Sequence, residues 1–85
     1  LRGGIVMEQK KFESLLILLV PQIVSLIVEN FREDELYASQ KFYESKVYAA
    51  LEQEETKLWH YSALTLFHMY EEECQTGTFT YPEEI

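Results

Sequence analysis

Basic residues, glycine and cysteine are all scarce in this chain. Seven Lys and Arg stand against fifteen Asp and Glu, a formal charge of −8. Nucleic-acid binding draws on cations that displace counterions from phosphates, and neither a basic patch nor a basic stripe is present. Nucleic acid is therefore not an expected partner. An anionic membrane surface is disfavoured on the same ground. The single cysteine, Cys74, excludes an internal disulfide, and one thiol makes no zinc knuckle. Gly3, Gly4 and Gly77 are the only glycines, so a glycine-rich phosphate loop is excluded. With no disulfide staples and no secretory signal, the expected compartment is the cytoplasm.

What the chain does have is apolar mass. Apolar residues make up 47% of its 85 positions and aromatics 14%, which suits one small folded domain rather than a disordered segment. A domain of this size buries only about 60–65% of its unfolded surface, so its stability is marginal unless a partner enlarges the core.

The run from Leu15 to Val28 is broken only by Pro21, Gln22 and Ser25. A helix through it is apolar nearly all round, and such a helix must be buried on every side. The run is shorter than the 20 or so residues of a membrane span, and Lys10, Lys11, Glu13 and Glu29 flank it closely. It is expected to be a core helix, from Glu8 to about Asn30 or Phe31. Phe12, Leu16, Leu19 and Ile23 form one stripe; Ile17, Val20, Val24 and Val28 lie on the side away from it. Pro21 lacks a donor and clashes with the carbonyl of Ile17, which predicts a kink. Two helices broken at Val20 are the alternative, but no Gly, Asn or Asp accompanies the proline to make a turn.

Phe31 to Glu35 is a polar break, with Glu33 or Asp34 as the cap of a second helix. Leu36, Phe42, Tyr43, Val47, Ala50 and Leu51 give that helix its apolar stripe. Ser45 can act as an N-cap within it, splitting it into about 34–44 and 46–53. Glu52 to Lys57 reads as a solvated connection. Ser62 is the expected cap of a last helix from Ala63 to about Gln75, ended by Gly77. Its inward side carries Leu66, Phe67, Tyr70 and Cys74, with Leu64 and Met69 at the margins. Thr78 to Pro82 alternates as an extended segment does, lying across the helices or pairing with its copy in a dimer.

No constellation reaches the threshold for chemistry. His68 stands three and four residues before Glu71 and Glu72, but a structural metal site takes four ligands and a catalytic one three plus water. Cys74 is six residues past His68, which on one helix points it well away. Trp59, Tyr61, Phe67 and Tyr70 lack basic neighbours and read as core or interface. The expectation is therefore no enzyme, no catalytic residue, no cofactor and no metal.

Residues 1–6 precede Met7, and Arg2-Gly3-Gly4 can be written in purine-rich codons that spell a bacterial ribosome-binding site. They are read as translated leader; a cloning remnant is the competing reading, since the string also resembles the tail of ubiquitin. This divides the chain into 1–6, a helical domain over 7–76 and an extended tail over 77–85.

The stretch from Phe42 to His60, with its aromatic pair, Ser45, Tyr48, Leu51, an acidic Glu-Thr turn and Leu58-Trp59, resembles a pattern in short uncharacterised proteins of Gram-positive bacteria. The resemblance spans about Ile23 to Glu73. Some similar families are encoded beside candidate ADP-ribosylating toxins, which implies an accessory or antitoxin-like role. No catalytic residue carries over.

The fold expected is all-α, with three or four helices, a long Pro-kinked first helix and a short extended C-terminal tail. The function expected is a protein–protein interaction module working as a homodimer through Ile17, Val20, Val24 and Val28. An antitoxin-like accessory protein docking on a basic partner is the alternative. A metal-binding or membrane-associated protein ranks behind both. A chain started at Met7 should melt within about 2 °C of the full one in a thermal scan, and a larger drop would show that Ile5 and Val6 belong to the fold.

Overall fold

The computed structural model describes residues 8–82, so the leader assigned to residues 1–6 and the last residues of the tail lie outside the described part. Four helices follow in order: α1 (Gln9–Phe31), α2 (Glu35–Tyr43), α3 (Lys46–Leu51) and α4 (Ala63–Thr76). Two 3-10 turns, Glu54–Thr56 and Leu58–His60, connect α3 to α4. No strand occurs among the described residues. The fold is all-α.

α1 is one continuous helix with Pro21 inside it. Pro21 has no N–H, so the Ile17 carbonyl loses its helical donor. One residue on, the Gln22 side-chain amide donates to the Leu18 carbonyl at 3.0 Å. The helix ends at Arg32, whose left-handed backbone (φ 58) lets its N–H reach the Val28 carbonyl at 3.0 Å. Asp34 then caps α2, its carboxylate accepting from the N–H groups of Leu36 and Tyr37.

One side of α1 carries the core. Phe12, Leu19, Val20, Ile23, Val24 and Ile27 are buried there, Ile23 and Ile27 completely. Leu19 to Ile27 of this side form one core with Ala38 and Phe42 of α2, Val47 and Leu51 of α3, Leu58, and Leu66, Phe67, Met69 and Tyr70 of α4. This corrects the expected interface. Val20 and Val24 are each only 6% exposed and belong to the chain's own core, Val28 is half-buried, and Ile17 is 70% exposed. The reason is geometric: α2 and α4 lie on adjoining sides of α1, so the buried arc is wide enough to take both rows of apolar residues.

Ser45 does split the second helix. Its hydroxyl donates to the Phe42 carbonyl at 2.6 Å and accepts from the Tyr48 N–H at 3.0 Å, closing α2 and opening α3 with one side chain. Glu73 of α4 completes the joint. Its two carboxylate oxygens accept from the N–H groups of Lys46, at 2.8 Å, and Val47, at 3.1 Å. The Lys46 ammonium donates in turn to the Gly77 carbonyl at 2.7 Å. Gly77 ends α4 with φ 90, a conformation that favours glycine.

Several outward and inward assignments are corrected. Leu36, Tyr43 and Cys74, expected inside, are exposed, whereas Met69, expected at the margin, is buried. The stretch 52–57 is, as expected, a mostly exposed connection, and it holds a 3-10 turn. The Thr56 hydroxyl donates to the carbonyls of Ala50 and Gln53, and the Trp59 indole N–H to that of Glu54. Beyond α4 the chain runs back over the helices. Phe79 packs on the core, and Thr80 donates its N–H and hydroxyl to the Glu72 carboxylate.

Glu73→Ala should destabilise the fold by about 1–2 kcal/mol in urea unfolding, because it strips two charge-assisted acceptors from the start of α3. Glu72→Ala removes only a tether to the exposed tail and should cost less than about 0.5 kcal/mol. Equal effects would show that the α3–α4 joint carries no special share of the stability.

Candidate interaction surface

In the first half of α1, Phe12 and Leu19 are buried while the side away from them is open. Its solvent side presents Leu18, 64% exposed, and Ile17, 70% exposed. Consecutive in sequence, the two side chains stand about 100° apart around the helix. Beside them runs a groove of about 300 Å3 lined by Leu16, Ile17, Val20, Pro21, Tyr43 and Tyr48. The tyrosines come from different helices, and Ser45 brings them together. Their rings meet edge to face with centroids 4.8 Å apart. Their pairing has no signature in the residue spacing, because it depends on the break between α2 and α3.

The solvent side of α1 is also graded in charge. Lys10 and Lys11 lie with Ser14, Leu15 and Leu18 around a shallow hollow near its start. Near its end, Glu29 faces a second hollow shared with Val24, Ser25, Val28 and Glu35 of α2. By length and composition α1 is apolar enough to cross a membrane, yet six of its residues pack into the chain's own core.

The residues considered for chemistry are dispersed. His68 Nδ1 lies 3.1 Å from Glu71 Oε1 on the exposed side of α4, and Glu72 is engaged by Thr80. His60 shares a hydrogen bond with the Lys57 carbonyl. Cys74 is exposed beside Lys41, Glu44, Ser45, Tyr70 and Glu73, a group that does not include His68. No group of three His, Cys, Asp or Glu that could hold a metal ion occurs among the described residues. Compared with protein families, with curated proteins and with solved structures, the chain finds no match.

Two phenols sit in environments that hold their protons. Burial pushes Tyr70 up, with help from its hydrogen bond to Cys74 and from the charges of Cys74, Glu33 and Glu73. Burial likewise raises Tyr48, with Glu52 and Tyr43 adding to it. One oxygen of Glu33 is buried without a hydrogen-bond partner.

Because the folded pKa of Tyr70 lies above the ordinary value of 10.0, its contribution is intact below pH 10.0 and is lost as pH rises toward the folded value. Stability measured by urea unfolding should fall above that pH. Tyr70→Phe should flatten the fall in part, Tyr48 accounting for some of the remainder. An unchanged slope in Tyr70→Phe would show that Tyr70 ionises as freely folded as unfolded.

Proposed function

We propose that this chain is a small cytoplasmic protein–protein interaction module that works as a homodimer, pairing through the uncovered side of α1. The observation that supports the reading is the exposure of Ile17 and Leu18 together on a helix whose opposite side is the core. Soluble monomers rarely expose large contiguous apolar patches. A second copy would cover Leu18 and enlarge a core that is marginal at this chain length. An acidic surface and scattered histidines support neither catalysis nor a metal centre, so the role proposed is binding.

The test uses the exposed residue, not the buried ones. Analytical ultracentrifugation of the native chain from micromolar concentration upward should show a monomer–dimer equilibrium. Leu18→Asp should shift it to monomer by at least about tenfold in Kd, since a carboxylate forced into an apolar contact loses its hydration. Its circular dichroism should stay that of the native chain, because Leu18 contributes little to the core. A native chain that stays monomeric throughout would overturn the proposal. So would a monomer that sediments with phospholipid vesicles, which would assign the same side chains to lipid.

A further inference from the structure

The charges on the free side of α1 define how a second copy would lie on it. Lys11 and Glu29 are eighteen residues apart, which is five full turns of an α-helix, so they fall on one line parallel to its axis. Leu18, Gln22 and Ser25 lie along or close to that line, all in the exposed or outward part of the helix. Lys10 joins Lys11 at one end, and Glu35 of α2 joins Glu29 at the other. The surface therefore has a basic pole, an apolar and small-residue middle, and an acidic pole. Glu8 and Glu13 also stand near this end, roughly 60° and 160° around the helix from Lys11, with Lys10 roughly 100° around, so the cationic character of the pole rests on Lys11. Glu13 is moreover engaged by the Gln9 side-chain amide at 2.8 Å.

We infer that two copies pair antiparallel along α1, with Lys11 of each facing Glu29 of the other across a two-fold axis between Leu18 and Gln22. The inference rests on the homodimer reading above and adds its geometry. A bipolar stripe is self-complementary only when reversed. In the antiparallel arrangement both poles meet their opposites, whereas in a parallel one Lys11 meets Lys11 and Glu29 meets Glu29, which is repulsive. The side chains between the poles fit the same reversal. The register that sets Lys11 against Glu29 also sets Leu15 against Ser25 and Ser14 against Leu26, large against small on both sides of the axis. Leu18, the most exposed apolar residue near the middle of the line, lies beside Gln22 of the second copy. With each chain at −8, self-association works against net repulsion, and the two Lys–Glu pairs supply the local attraction that orients it. Neither Lys11 nor Glu29 has an ion-pair partner among the described residues, so both are available for this role.

Charge exchange tests the register in full-length chains. Lys11→Glu and Glu29→Lys should each dimerise more weakly than the native chain, because each replaces two attractive pairs by two repulsive ones. Mixed in equal amounts at low salt, the two variants should form a heterodimer at least about tenfold tighter than either self-pair, because both contacts are then attractive. Circular dichroism should show native helix content in both, since the positions are exposed. The mixed pair is attractive in either orientation, so the register is read from self-association: variants that self-associate as tightly as the native chain would overturn the antiparallel register while leaving the homodimer standing, because in a parallel pair native and variant chains alike face like charges. A native chain that never dimerises would overturn both.

Discussion

Everything in this fold follows from the need to bury one side of α1. Ile23 and Ile27 are fully enclosed, and each such side chain is worth about 1.5–3 kcal/mol when removed from water. The three later helices are too short to be stable alone and persist because each lays an apolar residue onto this side or onto its neighbours. Phe42, Val47, Leu51, Leu58 and Leu66 are all completely buried in that way. Phe31, the last residue of α1, extends the same core, its ring stacking on Tyr70 with centroids 6.0 Å apart.

The core brings the helices together, but hydrogen bonds decide how α3 meets α4. α3 is only six residues long, and its first N–H groups have no partner within the helix. Ser45 takes one of them and Glu73 takes two, while Lys46 returns a bond to the end of α4. Each helix thus satisfies the other's orphan backbone groups. The arrangement turns a weak point into a joint, and it also places Tyr43 and Tyr48 side by side next to Ile17.

The same economy of length leaves α1 incompletely covered. α2 and α4 pack against it, while in its first half Leu16 is half-buried and Ile17 and Leu18 are open. A membrane and a second copy would both accept such a surface. The alternation of cationic pole, apolar middle and anionic pole favours the second copy, because lipid has no use for the acidic end.

Much of the architecture was legible from local residue patterns. The bounds of α1, the break at Ser45, the caps at Asp34 and Ser62 and the stop at Gly77 all depend on bonds within about four residues, and short-range chemistry is written in the sequence itself. So was the continuity of α1 through Pro21, since no turn-forming residue accompanies it. What the sequence left open was rotation. A helix apolar nearly all round has no preferred inward side, so its spacing could not say that Val20 and Val24 face the core and Leu18 faces out. Cys74, Leu36 and Tyr43 were misplaced for the same reason, each lying at the edge of an apolar stripe. Glu73 under α3, Thr80 on Glu72 and the tyrosine pair join residues from different elements. Those contacts, and with them the free side of α1, were decided only by how the helices pack around one another.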